Sequence, residues 1–298
     1  MEVLKLATAG SVDDGKSTLI GRLLYDTQSL TDDKLEAIEK SSKKLGYDYL
    51  DFSLATDGLV AEREQGITID VAHIYFSTPT KSYIIADSPG HVEYTRNMIT
   101  GASNASVSII LIDARKGVIE QTFRHFFINA LLQVKHVVIA VNKMDLVDYD
   151  QSVFDDIKSD IDALRAKSGY KDQEITFIPI SALTGDNVAS ASAKMSWYEG
   201  PSILGYLENV TPEAASDTPM RFPVQTVIRP KTNAFHDFRG YAGKVYGSSI
   251  AVGDDITVLP SLKSSKVQDI FSYKDSFKEA QAGNSITLTL EDDINVTR

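Results

Sequence analysis

Gly10-Ser11-Val12-Asp13-Asp14-Gly15-Lys16-Ser17 follows the pattern G-x-x-x-x-G-K-[ST], and Thr18 continues it. Glycines at both ends let the backbone turn tightly, so that successive N–H groups aim inward at phosphate oxygens. In this pattern Lys16 bridges β- and γ-phosphates and the Ser17 hydroxyl binds Mg²⁺. A helix opening at the same point adds its positive end. The plain alternative is a glycine-rich turn that binds nothing. The context speaks against it, because the apolar run Val3–Ala9 precedes the motif and the helical stretch Lys16–Leu24 follows it.

A phosphate loop does not choose between ATP and GTP. Asn142-Lys143-Met144-Asp145 does, and it follows the apolar run Val137–Val141. A loop at the carboxyl end of such a strand lines a ligand crevice. The Asp145 carboxylate can accept hydrogen bonds from both N1–H and the exocyclic amine of guanine. Adenine offers no such donor pair and would leave a buried carboxylate unpaired. Asn142 can tie this loop to the phosphate loop, and the Lys143 stem can lie over the base. Ser181-Ala182-Leu183, after the run Ile175–Ile180, can offer backbone N–H to guanine O6. By itself that tripeptide is an ordinary exit from a strand.

Asp87-Ser88-Pro89-Gly90-His91 closes the run Tyr83–Ala86. An aspartate there can hold Mg²⁺ through water, and the Gly90 N–H can meet a γ-phosphate. The Thr68 hydroxyl, in Gly66-Ile67-Thr68, would complete the Mg²⁺ shell only with a γ-phosphate present, which is the order–disorder logic of a switch. His91 is the candidate for orienting an attacking water. Elsewhere in a sequence a lone histidine or threonine is more often structural or solvated. His73, His125, His136 and His236 show no ligand spacing and read as structural, and Trp197-Tyr198 reads as loop packing.

The elements that must position these residues alternate between strand and helix. Val107–Ile112 and Val137–Val141 are β-branched runs suited to the interior of a parallel sheet. Ile69–Phe76 and Tyr83–Asp87 flank a hairpin turn, and Val92–Ala102, Gln121–Gln133 and Ser152–Lys167 are helix candidates. An α/β architecture with helices on both faces follows. Residues 26–64 interrupt the alternation. They contain a helix candidate, Asp32–Lys44, and an insertion of this size reads as a cover or docking surface. Beyond about residue 210 the pattern becomes short strands with turn dipeptides: Val224–Ile228, Gly243–Tyr246, Asp255–Leu259, Ser265–Ile270 and Ser285–Leu290. The reading is an α/β nucleotide-binding domain with a mainly parallel sheet over 1–212, a linker at 213–220, and a small antiparallel β-barrel over 221–298.

Composition narrows the field. The 298 residues contain no cysteine, which excludes disulfide scaffolds, zinc–thiolate sites and cysteine nucleophiles. The formal net charge of −11 disfavours a general nucleic-acid binder. No run of 18 apolar residues suits a membrane span, and the N-terminus does not read as a secretory signal, so the expected location is the cytoplasm.

In this order the motifs resemble those of translational GTPases, and Arg63-Glu64-Gln65-Gly66-Ile67-Thr68-Ile69 belongs to the same set. Within that superfamily the chain is similar to the GTPase subunits of heterodimeric ATP sulfurylase, also called sulfate adenylyltransferase. Gly-Ser-Val-Asp-Asp-Gly-Lys-Ser-Thr at 10–18, Leu24-Tyr25-Asp26-Thr27, Asp57–Thr68, Asp87–His91 and Phe238-Arg239-Gly240-Tyr241-Ala242-Gly243 carry the likeness. An elongation factor typically has His in place of Asp14 and Thr in place of Ser17. The resemblance implies GTP hydrolysis coupled to formation of adenylyl sulfate from ATP and sulfate, with adenylyl transfer performed by a partner small subunit. It also implies that Val12 and Ile67 wall the attacking water, and that Asp13 helps hold a monovalent cation. A third domain follows the barrel in the family, so the expectation is that this is a piece of a longer chain.

Two other readings compete. An elongation-factor-like carrier of aminoacyl-tRNA would share the switch machinery, but its tRNA phosphates call for more Lys and Arg. A bifunctional subunit that also phosphorylates adenylyl sulfate would need a second phosphate loop, which these residues do not contain.

Overall fold

The computed structural model describes residues 2–44, 46, 49–55, 72–88, 95–168, 172–211, 218–230, 238–272 and 275–294. The chain divides into two compact units, Met1–Val210 and Thr211–Arg298.

In the first unit, β1 (Glu2–Ala9) leads into helix α1 (Lys16–Asp26), followed by α2 (Asp32–Lys44). A hairpin of β2 (Ala72–Ser77) and β3 (Lys81–Asp87) comes next, then α3 (Thr95–Ala102) and β4 (Val107–Asp113). The series ends with α4 (Glu120–Leu131), β5 (His136–Asn142), α5 (Gln151–Ser168), β6 (Glu174–Pro179) and α6 (Ile203–Asn209). The strands form one sheet in the order β2-β3-β1-β4-β5-β6, with only β2 antiparallel to its neighbour.

All seven residues of both β4 and β5 are buried. Their side chains alternate between the two faces. Ile109, Leu111, Val138 and Ala140 pack with Leu19, Ile20 and Leu23 of α1 and with Ile203 and Leu207 of α6. Ile110, Ile112, Val137 and Ile139 pack with Phe126 of α4 and with Phe154, Ile157 and Ile161 of α5. A sheet covered on both faces needs no polar alternation, hence the continuous β-branched runs. Because these strands run in parallel, β1, β3, β4 and β5 bring their carboxyl ends to one edge of the sheet. There the chain places Gly10, Asp87, Asp113 and Asn142.

The second unit is a small antiparallel barrel. Its strands are β7 (Val224–Ile228), β8 (Gly240–Lys244), β9 (Ile250–Ala251), β10 (Asp255–Val258), β11 (Lys263–Ser272), β12 (Asp275–Phe277), β13 (Glu279–Ala280) and β14 (Ser285–Leu290). One sheet runs β10-β11-β14-β8-β7 with β12 on β11, and β9 pairs with β13. Ile250 and Ala280 of the small pair meet Val267, Ile270, Ile286 and Leu288 of the larger sheet in one core. The strand expected at Gly243–Tyr246 lies at Gly240–Lys244 instead. Glycine lowers strand propensity, but here it is required. A Cβ on Gly243 would strike Pro223 O, and one on Gly240 would strike Thr287 Cγ2. Strands β9, β12 and β13 are too short to leave a period in the sequence, and α6 had no reading at all.

Candidate functional site

The phosphate loop joins Ala9 to Lys16. Gly10 has φ +152, and a Cβ there would crowd Leu111 O at 3.1 Å, while Gly15 has φ +94. The Lys16 ammonium turns back into the loop and donates to Gly10 O at 2.8 Å and Ser11 O at 2.9 Å. It is 8% exposed. Burial pushes its pKa down, opposed by the charges of Asp87, Asp14 and Asp13. Asp14 accepts from Ser11 N–H at 2.7 Å, which fixes the turn. Burial raises the Asp14 pKa against the pull of the Ser11 N–H, Lys16 and Lys116. Helix α1 begins without a side-chain cap and without an acidic residue in its first turn, so its first amides are left for an anion.

The base loop follows β5. Asn142 Nδ2 donates to Asp14 O at 2.8 Å, and Asn142 Oδ1 accepts from Ala182 N at 2.9 Å. One side chain thus holds three loops together. Lys143, in the left-handed region at φ 64, sends its amine to Asp13 O and to Asp113 Oδ2, the latter at 3.0 Å. Asp113 also takes the Arg115 guanidinium, with Nη2 at 2.6 Å. Burial favours the neutral Asp113 acid, but the bonds from Arg115 and Lys143 outweigh it and hold the group well below the usual carboxylate range. Met144, included in the expected nucleotide contacts, is instead fully buried in the core and donates its N–H to Ile180 O. An apolar chain there anchors the loop by packing.

Ser181 N–H goes to Asp186 O and Ala182 N–H goes to Asn142. Among the described residues the Leu183 N–H has no acceptor. Asp186 buttresses this loop by accepting from Ser192 Oγ at 2.6 Å, Tyr149 Oη at 2.9 Å, Lys194 Nζ at 3.0 Å and Thr184 Oγ1. A cavity of about 210 Å³ opens between the loops; its lining includes Asn142, Lys143, Asp145, Leu146 and Leu183, and also Tyr49 and Asp51.

At the end of β3, Asp87 is buried and Oδ1 accepts from Thr8 Oγ1 at 2.9 Å. Ser88 is fully buried, and its Oγ has no partner among the described residues. Ser17 and Thr18 are half-buried at the start of α1. Pro89, Gly90 and His91, and also Val12's expected companion Ile67 and the switch Thr68, lie outside the described residues. Asp87 and the Ser17 hydroxyl are hard oxygen donors suited to Mg²⁺. Among the described residues no group of three His, Cys, Asp or Glu could cage a metal.

Sequence reasoning missed the Asp113–Arg115 pair, the Asp186 buttress and Tyr49. Asp113 had a usable signal, since it ends a buried parallel strand as Asp87 and Asn142 do. Trp197 packs 5.3 Å from the Phe154 ring and donates to Tyr149 O at 3.0 Å, as loop packing requires. No described helix is long and apolar enough to cross a membrane.

Residues 1–228 match the model of the elongation factor Tu GTP binding domain. The whole chain is 52% identical to sulfate adenylyltransferase subunit 1 of Cellvibrio japonicus, spanning 62% of that protein. It is 54% identical, over 99% of its length, to sulfate adenylyltransferase subunit 1 of Salmonella paratyphi B, spanning 61% of it. The chain therefore spans about three-fifths of the length of these relatives. Among solved structures, a bacterial selenocysteine-specific elongation factor EF-Sec aligns with TM-score 0.52 at 26% identity, over 97% of this chain and 42% of that one. The loops at the carboxyl edge of the sheet and the match over most of the chain agree: it belongs to the family of the elongation factor Tu GTP-binding domain.

Proposed function

We propose that the protein hydrolyses GTP as the GTPase subunit of a sulfate adenylyltransferase, driving formation of adenylyl sulfate from ATP and sulfate on a partner catalytic subunit. The observation that carries the GTP reading is the Asn142 side chain, which joins the phosphate loop to the Ser181–Leu183 loop beside a cavity that Asp145 lines. Asp145 reads the guanine edge. Lys16, already held over the loop carbonyls, neutralises β- and γ-phosphate oxygens, and the N–H groups of Asp13 to Thr18 cradle them. Mg²⁺, held by Ser17 and Asp87 with Thr68, supplies charge neutralisation on those oxygens when bound. His91 orients the attacking water, between walls formed by Val12 and Ile67. Asp13 contributes to a monovalent-cation site.

The sulfate reading rests on the likeness, along this chain, to about three-fifths of sulfate adenylyltransferase subunit 1. Its physical logic is that a sulfuric–phosphoric anhydride forms uphill. An exergonic hydrolysis must therefore be linked to it through contacts that differ between two conformations. Two experiments test the proposal. Asp145→Asn shifts preference from GTP toward xanthosine triphosphate, and an unchanged preference removes the base-reading role. Co-expression with a candidate small subunit yields adenylyl sulfate formation that depends on GTP, and formation indifferent to GTP overturns the coupling.

A further inference from the structure

The cavity beside Asp145 is not built by the guanine and phosphate loops alone. Tyr49 lines it too, from the insertion at 26–64 that the sequence reads as a cover or docking surface. Resting on the GTP reading above, we propose that Tyr49 is a further nucleotide-binding residue, whose ring packs on the face of the guanine base.

The segment is anchored just beyond Tyr49. Asp51 N–H donates to Ser42 Oγ on α2 at 2.9 Å, and Asp51 Oδ1 accepts from Ser53 N at 3.0 Å and Ser53 Oγ at 2.6 Å. Phe52 is buried against α1, with its ring 4.9 Å from that of Tyr25 and 5.5 Å from the Arg22 guanidinium. Its carbonyl sits where a Cβ on Gly21 would stand, so the segment lies flush against the helix that opens at the phosphate loop. Tyr49 is thereby delivered to the cavity from a fixed neighbour.

The chemistry of the lining assigns the role. The Asp145 carboxylate is the polar group in the lining suited to a base edge. A base also has two π faces, which need apolar or aromatic partners. The Lys143 amine is committed to Asp13 O and Asp113. Leu146 gives the lining an exposed apolar chain, and Tyr49, 47% exposed, gives it an aromatic ring, which has the larger flat surface to bury on a base.

The test uses the full chain loaded with radiolabelled GDP and chased with unlabelled GDP. Tyr49→Ala raises the dissociation rate on the order of ten-fold, and Tyr49→Phe stays within about two-fold of wild type, because the ring rather than the hydroxyl makes the contact. An unchanged rate in Tyr49→Ala overturns the proposal, as does a Tyr49→Phe variant as fast as Tyr49→Ala. Asp145→Asn is run alongside with xanthosine diphosphate. If it changes base preference while Tyr49→Ala has no effect, the Tyr49 assignment falls alone. If the chain retains no guanine nucleotide, both readings fall.

Discussion

Gly15 is fixed as glycine by Asn142: a Cβ at position 15 would collide with the Asn142 side-chain amide. That amide is where it is because Asp14 O and Ala182 N–H take both of its ends. Phosphate loop, base loop and Ser181–Leu183 loop therefore have one relative position, set by a single buried side chain. A nucleotide that spans them meets a preformed frame, which spares the ordering of three separate loops.

Gly15→Ala is expected to weaken guanine-nucleotide affinity at least about ten-fold, since it both strains φ +94 and displaces Asn142. Gly253 supplies the control. Its φ is +91, and a Cβ there meets nothing within 4 Å. Gly253→Ala carries the backbone strain alone, about 1 kcal/mol of stability, with nucleotide affinity as in wild type. Isothermal calorimetry and urea unfolding of both variants separate collision from strain.

How much of this was legible in the sequence depends on how local each cause is. Fully buried β4 and β5 are readable because burial on both faces writes a continuous β-branched run. Helix α2 is readable over Asp32–Lys44, with Asp32 and Asp33 in its first turn and Lys43 and Lys44 in its last. The part Asn142 plays is legible because its motif carries a mechanism. The Lys143–Asp113 pair is not, because its partners end two different strands and no periodicity reports on cross-loop bonds. The glycine-bearing strand β8 misleads for a related reason. Its glycines answer to Pro223 and Thr287 across the barrel, which local propensity does not see.

Asp113 supports the base loop through the Lys143 amine and does not itself line the cavity. Asp113→Asn is expected to weaken GDP affinity about ten-fold, because it leaves Lys143 and Arg115 facing each other without their shared carboxylate. Arg115→Ala costs less than about three-fold, since that guanidinium is exposed and screened. Equal losses in the two calorimetric titrations would mean that Arg115, not Asp113, places the lysine.

His125 gives the fold a pH dependence. Burial first, then the positive charges of Lys16 and Arg124, push its pKa down to about 4 from 6.5. Between those values the unfolded chain binds a proton that the folded chain refuses, so stability falls as pH drops through this window. A charge on this ring would be repelled by Lys16 and Arg124. His125→Gln, which cannot charge, is expected to flatten the slope of unfolding free energy between pH 6.5 and 4 by about one proton. Urea titrations of both proteins at several pH values give that difference directly. Parallel slopes would remove His125 from the account.

Asp186 makes the opposite prediction. Burial raises its pKa, but donors from Ser192, Thr184, Lys194 and Tyr149 outweigh that and bring it to about 2, below the ordinary 3.8. A depressed carboxylate stabilises the fold above the unfolded value and loses that contribution as pH falls through the folded one. Asp186→Asn is therefore expected to lose roughly 1–2 kcal/mol at pH 7, a value discounted for the half-exposed Lys194 partner. The deficit persists down to about pH 4 and shrinks between pH 4 and 2. The Asp186 carbonyl also accepts from Ser181 N–H, at the head of the loop whose Leu183 lines the cavity. Faster GDP release from Asp186→Asn should thus accompany the stability loss. A variant that loses stability but releases GDP at the wild-type rate would show that the loop is held by Asn142 alone.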